Sequence, residues 1–219
     1  MAIKSLQKKL DHAHKKVGKE LGYAYKVYRA INNVDVLSDA NYIGTANTWT
    51  TLNDEASRDM EFQIPTWNTY TDATIVQQGD FLYSEEENRT LMVLIRKPME
   101  PLLAIEVNDR CTITKVGYAD TGNGYGPVDG IVVAKNLPCF VNFGNRELLG
   151  RYSIPGRKTL AEAGVKTANI TTSLPFDVEV MGYTIEDDSG FRGSIIKYSY
   201  SSYNSSLQIT ATEYGATPD

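Results

Sequence analysis

Residues 78–116 read QGDFLYSEEENRTLMVLIRKPMEPLLAIEVNDRCTITKV, and this segment decides the fold. It contains four short runs rich in apolar, aromatic and β-branched residues, at 81–83, 90–95, 102–107 and 111–116. Clusters of acidic, proline and asparagine residues separate the runs, which predicts strands joined by hairpins. Four consecutive short strands indicate an antiparallel meander within a small barrel or sandwich.

The rest of the chain adds strand-like runs on both sides of this segment. They lie at 23–31, 45–52, 131–134, 137–144, 177–181, 183–186, 191–200 and 207–212. A length of 219 residues allows one good hydrophobic core or two small ones. The predicted fold is therefore mainly β, an antiparallel barrel or sandwich or two small β lobes, preceded by one N-terminal amphipathic helix.

We expect three parts in the chain. Residues 1–22 form the helix, and residues 23–148 form the main β domain, which contains a long polar loop at 32–60. Residues 149–219 form a second β lobe or a continuation of the first domain, and end in a flexible tail at 215–219. A connection as long as the polar loop is uncommon inside a compact domain. We interpret it as an arm leaning on a neighbouring subunit or as a set of weak strands.

An internal repeat is a further hypothesis. Residues 80–93 and 180–196 each place an acidic turn before an arginine and a β-rich run, at an offset near one hundred residues. Such an offset suggests two related β modules. Hairpin chemistry, in which acidic and small residues occupy both turns, explains the similarity equally well.

The N-terminal segment carries a narrow apolar stripe at helical spacing, followed by Gly22, which is well placed to end a helix. A narrow stripe is typical of packing against another helix or in a groove of a partner. The alternative is that the helix docks on its own β body. The predicted partner-interface residues are Ile3, Leu6, Leu10, Ala13 and Val17.

Charge is unevenly distributed between the helix and the rest of the chain. Residues 1–22 hold six lysines and two acidic residues, a net charge of +4. Since the whole chain has a net charge of −5, residues 23–219 carry −9. An acidic body is a poor general binder of nucleic acid, because such binding depends on neutralising phosphates. If the protein lies near DNA, the residues equipped for it are Lys4, Lys8, Lys9, Lys15 and Lys16.

Catalytic patterns are weak. The two histidines, His12 and His14, are two residues apart on the helix and point to different faces, so they do not form one metal site. We interpret Cys111 and Cys139 as buried thiols, and the acidic turns as solvated hairpin tips. The glycines at 122–126 precede a strand and not a helix, unlike a dinucleotide-binding motif. We therefore predict no enzyme, no cofactor and no metal.

Signals for membranes and secretion are also weak. No apolar run approaches the roughly 20 residues that a membrane-spanning helix needs. Lysines interrupt the N-terminal segment, where a secretory signal would have its apolar region. We therefore expect no membrane partner and assembly in a cytoplasm.

Several segments resemble virion structural proteins of tailed bacteriophages, in particular small β-rich neck proteins of the head-to-tail connector or collar type. The resemblance covers most of residues 1–143. It is carried by the lysine-rich helix and by short motifs built of turn and strand residues. These motifs are Trp67 with 70–73, 78–82 with the hairpin to Arg89, Pro98 with 101–104, and 136–139.

The resemblance implies a homo-oligomeric ring in the virion, assembled in the host cytoplasm. The ring would join a portal or adaptor protein to tail proteins, and genomic DNA would pass through it without sequence-specific contact. One alternative is another phage component, such as a tail terminator, tail-tube or capsid-decorating protein. A second alternative is a small β-sandwich hydrolase acting on glycans with carboxylates near the 122–126 loop.

Overall fold

The computed structural model describes residues 2–31, 34–53, 65–97, 99–120, 125–142, 167–173, 180, 182–200 and 207–213. Within these residues the chain forms one α-helix, α1 (Ala2–Leu21), a short 3₁₀ turn (Asp39–Asn41) and twelve strands. The first six strands are β1 (Tyr23–Tyr28), β2 (Tyr42–Leu52), β3 (Thr66–Tyr70), β4 (Phe81–Ser84), β5 (Arg89–Arg96) and β6 (Leu102–Glu106). The others are β7 (Asp109–Asp120), β8 (Tyr125–Asn142), β9 (Thr167–Thr172), β10 (Thr184–Asp187), β11 (Arg192–Tyr200) and β12 (Leu207–Glu213).

The strands close into two antiparallel barrels. The first has the order β1-β2-β3-β6-β5-β4, and the second has the order β7-β8-β9-β12-β11-β10. The predicted mainly β fold with one N-terminal helix is confirmed. Strand pairing divides at Val107 and Asn108, the two residues between β6 and β7. The expected domain boundary at 148–149 and the tail at 215–219 lie outside the described residues.

The predicted four-stranded meander is correct for three strands and wrong for the fourth. β4, β5 and β6 pair in sequence order. The other edge of β6 is taken by β3, with Thr66 opposite Ile105. No edge of β6 remains for β7, which instead opens the second barrel and pairs with β8 and β10.

Strands β4 to β6 are buried on both faces. One set of side chains belongs to a core with Tyr25 and Val27, and the alternating set belongs to a larger core shared with the second barrel. A strand buried on both faces reads as a continuous apolar run, which explains the run at 90–95. The first set is Leu82, Leu91, Val93, Leu102 and Ala104, and the second is Phe81, Met92, Leu94 and Ile105.

The two barrels share one topology, because replacing β1 to β6 by β7 to β12 converts the first strand order into the second. The fifth strand of each barrel carries a bulge at the same place. In β5 the register shifts between Val93 and Ile95, and in β11 it shifts between Ile195 and Lys197. The internal repeat suggested by the sequence is therefore present in the structure.

The fourth strands also begin alike. Each follows a turn with glycine at its third position, Gly79 with φ 87° and Gly182 with φ 74°, as a type II turn requires. In both turns the residue after the glycine donates its N–H to the carbonyl two residues before the glycine, at 3.2 Å and 3.1 Å. The following hairpin turns differ by one residue: Ser84 pairs with Arg89, whereas the N–H of Asp187 bonds to the carbonyl of Phe191.

The predicted polar loop at 32–60 contains regular structure. β2 runs through it and includes the expected strand at 45–52. Upstream, residues 34–36 lie on the second barrel of the same chain. Val36 donates its N–H to the carbonyl of Lys135 at 3.0 Å, and Lys135 donates to the carbonyl of Val34 at 2.6 Å. Residues 32–33 and 54–64 lie outside the described part of the loop.

Candidate assembly surface

Helix α1 docks on the first barrel by a mostly polar face. The covered residues are the row Gln7, Asp11, His14 and Gly18, at intervals of three and four, together with Leu10 and Val17 of the apolar stripe. The row contacts β2, β3 and the residues around β5 and β6. The side-chain oxygen of Gln7 accepts the backbone N–H of Met99 at 2.8 Å. The helix therefore lies on its own β body, the alternative that the sequence left open.

Gly18 sets the distance between the helix and the barrel. A Cβ at this position would lie 2.6 Å from the carbonyl oxygens of both Asn47 and Tyr70. Both contacts are with backbone, which cannot rotate away as a side chain can. The helix reaches this close approach because residue 18 has no side chain.

Two ion pairs hold the helix at defined places. Lys15 Nζ lies 2.6 Å from Asp72 Oδ2, and Arg96 Nη2 lies 2.8 Å from Asp11 Oδ2. Burial opposes ionisation of Asp72, but hydrogen bonds from Lys15 and Thr74 outweigh it and lower the pKa of Asp72. The helix is thus fixed in rotation as well as in position.

His14 adds a ring contact. Its imidazole meets the ring of Tyr70 edge to face, with centroids 5.4 Å apart. Burial is the main cause of its lowered pKa, which Asp11 counteracts by raising it and Arg96 reinforces by lowering it. At neutral pH the imidazole is therefore uncharged in this contact.

The apolar stripe lies on the flank of this docked face. Leu6 is 49% exposed, Ala13 is exposed, and Leu10 and Val17 are half-buried; the side chain of Ile3 is outside the described part of the chain. With 3.6 residues per turn, the centre of the stripe is rotated roughly a quarter turn from the docked row. One edge of the stripe thus rests against the barrel and the other faces outward.

The five predicted lysines do not form one patch. All are exposed, and helical spacing divides them into two rows. Lys4, Lys8 and Lys15 share one row, in which Lys15 is already paired with Asp72. Lys9 and Lys16 lie in the row of Leu6 and Ala13. We call Leu6, Lys9, Ala13 and Lys16 the stripe surface. It combines apolar and basic side chains on the outer side of α1.

Exposed apolar residues also occur at strand positions that sequence reasoning did not single out. Tyr42 and Ile43 lie at the start of β2, and Ile131 and Val132 lie in β8. Apolar residues in strands ordinarily predict core, so the sequence carries no signal that these four would be exposed. They become recognisable once the pairing of the strands is known.

The acidic turn at 85–88 is exposed, as predicted for a hairpin tip, and two of its carboxylates have partners. Glu85 pairs with Lys26, and Glu87 accepts a hydrogen bond from the hydroxyl of Tyr25. Burial, reinforced by the bond to Glu87, raises the pKa of Tyr25. These carboxylates therefore tie the hairpin to β1.

The two cysteines are free and buried, as predicted. A hydrogen bond with Cys111 is the main cause that raises the pKa of the Cys139 thiol, and burial adds to it. Among the side chains that the structure describes, no group of three or more histidines, cysteines and carboxylates is placed to hold a metal. In the same part of the chain no helix is both long and apolar enough to cross a bilayer.

The chain matches no protein-family model, no curated protein and no solved structure.

Proposed function

We propose that this protein is a structural subunit of the neck of a tailed-phage virion, where it assembles into a homo-oligomeric ring between head and tail. The observation that carries the proposal is the outward edge of the apolar stripe on a helix that polar contacts hold in place. The resemblance noted in the sequence supplies the setting, and the surfaces described above are compatible with it.

The stripe is poorly used within one chain. Leu10 and Val17 are half-buried, but Leu6 and Ala13 are exposed, and the contacts of Gly18 and the two ion pairs hold this orientation. Leu6 is 49% exposed, so covering the rest of it contributes about half of the roughly 1.5–3 kcal/mol gained by burying a fully exposed leucine. That contribution is available only when another surface approaches α1. A neighbouring subunit is the surface that a ring supplies.

The charge distribution supports the same setting. The helix segment carries +4 and the remainder −9, so a basic helix on one copy and an acidic body on the next attract each other. An acidic body also repels DNA phosphates and would let a genome pass without sticking. Portal or adaptor and tail proteins are the expected neighbours above and below the ring.

The proposal is tested with a matched pair of helix variants. Leu6→Glu places a charge in the stripe, whereas Ser5→Glu places the same charge at the adjacent exposed position outside it. Light scattering and negative-stain micrographs should show rings for the wild type and Ser5→Glu and their loss for Leu6→Glu, with equal melting temperatures. A wild-type protein that stays monomeric alone and with portal and tail proteins would refute the proposal.

A further inference from the structure

A two-stranded ribbon extends from the second barrel. β7 and β8 pair from Asp109 opposite Cys139 out to Asp120 opposite Tyr125. β10 pairs with β7 only over residues 111–114, and β9 pairs with β8 only over residues 140–142. We call residues 115–120 and 125–131 the arm. Six residues of strand extend roughly 20 Å, and within the described chain the two strands of the arm pair only with each other.

The arm has a counterpart in the first barrel, and that counterpart makes a strand contact. The arm connects the first two strands of the second barrel, and residues 29–41 connect the first two strands of the first barrel. From that connection, residues 34–36 add to the free edge of β8 at Lys135, with a hydrogen bond in each direction. Asn136 donates a side-chain hydrogen bond to Asp35 at 2.9 Å and strengthens the contact.

The edge of β8 that accepts residues 34–36 also has a counterpart in the first barrel, which is an edge of β2. Cys111 opposite Leu137 and Ile113 opposite Ala134 correspond to Tyr25 opposite Ala46 and Val27 opposite Gly44. The bulged pair Lys135 and Asn136 in β8 therefore corresponds to the single residue Thr45 in β2. Residues 42–48 of β2 pair with β1, and β3 pairs with β2 only from Trp49 onward. The second edge of β2 around Thr45 therefore pairs with no strand in the described residues.

Apolar side chains stand exposed at both of these places. Tyr42 is 43% exposed and Ile43 is 41% exposed beside the edge of β2, and Ile131 is 69% exposed at the base of the arm. Unpaired strand edges with exposed apolar neighbours are sites at which another strand adds. The arm belongs to the second barrel and the edge of β2 to the first, and each offers an unpaired strand edge beside exposed apolar side chains.

We propose that the arm of one copy adds to the edge of β2 around Thr45 in the next copy, repeating between chains the contact that residues 34–36 make within one chain. The outer edge of β7 is the adding strand, because Pro127 removes a backbone donor from β8. The contact is head to tail, and such contacts close into rings or continue as filaments. The inference rests on the proposed function in that it names the contact that would build the ring.

Disulfide trapping tests the contact directly, because both native cysteines are buried. Thr45→Cys is mixed with Tyr118→Cys or with Ala119→Cys, two neighbouring positions that cover both faces of the ribbon since strand residues alternate. We expect a cross-linked dimer in one of the two mixtures and none with any single variant alone. Ile196→Cys, at an exposed position in β11, replaces Thr45→Cys as the control and should give no cross-link.

A self-linked Tyr118→Cys or Ala119→Cys dimer would overturn the head-to-tail geometry, and equal linking to Ile196→Cys would show random collision. No cross-link in either mixture would overturn the contact itself.

A second variant separates this inference from the proposed function. Residues 116–130 are replaced by Asn-Gly, a two-residue turn that suits two adjoining antiparallel strands and here connects Lys115 to its partner Ile131. We expect loss of assembly with an unchanged melting temperature. Assembly that persists without the arm would overturn the arm contact and leave the ring intact, whereas a wild-type protein that never assembles would defeat the ring itself.

Discussion

Val93 and Ile195 occupy equivalent positions in the two barrels. Each donates its N–H, at 2.9 Å in both cases, to the carbonyl of the residue that follows a turn glycine, and each accepts the N–H of that glycine, at 2.8 Å and 2.9 Å. A bulge follows both residues. A shared strand order could arise by convergence on a small barrel, but a shared bulge and a shared pair of turn bonds point to one duplicated module.

The turn glycine should resist substitution even though it has space around it. Among the residues that the structure describes, no atom lies within 4 Å of a Cβ built on Gly182, and the φ of 74° is what opposes a side chain there. We expect Gly182→Ala to lower the free energy of unfolding by about 1–2 kcal/mol, measured by urea denaturation. Gly182→Asn should cost less, because asparagine tolerates positive φ. Equal stability of the alanine variant and the wild type would contradict this account.

Gly18→Ala should loosen the helix although alanine is the better helix former. Its Cβ would meet two backbone oxygens at 2.6 Å, and overpacking of this kind costs about 1–3 kcal/mol. We expect a lower melting temperature and faster proteolysis of the N-terminal segment. Ser5→Ala, at an exposed position on the same helix, is the control and should be neutral or slightly stabilising.

Asp80 should be important for the stability of the first barrel. It is fully buried, and its carboxylate receives the guanidinium of Arg29 at 2.7 Å and 2.8 Å and the backbone N–H of Gln77 at 2.7 Å. Hydrogen bonds to charged groups contribute about 1.5–3 kcal/mol each. We expect Asp80→Asn to destabilise the fold by about 2 kcal/mol or more in thermal unfolding, because the amide loses the charge while Arg29 stays.

The control for that variant is Glu85→Gln, which alters an exposed ion pair with Lys26. It should leave the melting temperature unchanged. If the two variants melt alike, burial of Asp80 does not confer the stability assigned to it.

Docking of the helix should weaken in acid in two steps. His14 and Asp72 both have a folded-state pKa below the ordinary value. As the pH is lowered, these groups bind protons in the unfolded chain before they do so in the folded protein, so the free energy of unfolding decreases as the pH decreases. The first loss begins as pH falls through the ordinary histidine pKa of 6.5. The second begins as pH falls through the ordinary aspartate pKa of 3.8.

Urea denaturation between about pH 8 and about pH 3 would resolve the two steps. His14→Gln should remove the upper step and Asp72→Asn the lower one. A stability that rises as pH falls from neutrality would contradict the assignment of both groups.

The sequence predicts most of the strands but not all of their partners, and it misses β3 (Thr66–Tyr70) and β9 (Thr167–Thr172). The strand predicted at 177–181 lies largely outside the described residues. The apolar runs after Gly79 are the strands β4, β5 and β6, because local composition and turn residues decide where a strand begins and ends. That β7 leaves the meander depends on which edge β3 occupies, and β3 is a distant segment in the chain. Pairing between distant segments leaves little trace in either segment alone.

The same distinction holds for the candidate surface: the sequence predicts the apolar stripe of α1 but not the orientation of the helix on the barrel. The stripe of Leu6, Leu10, Ala13 and Val17 follows from helical spacing, which the sequence displays directly. Which face of the helix meets the barrel does not, because a glycine, a histidine and two ion pairs with residues far along the chain outcompete the apolar stripe.

By itself, the sequence determined that this protein is mainly β, that a basic amphipathic helix precedes the strands, and that an acidic hairpin recurs about one hundred residues later. Periodicity, turn residues and charge are local properties, and a linear chain displays them openly. Only the tertiary structure decided that the strands close as two equivalent barrels, that α1 leaves part of its apolar stripe uncovered, and that an arm extends from the second barrel while β2 of the first barrel has an unpaired edge. Those features depend on contacts between residues far apart in the chain, where steric fit and hydrogen-bond partners select among arrangements that composition leaves equal.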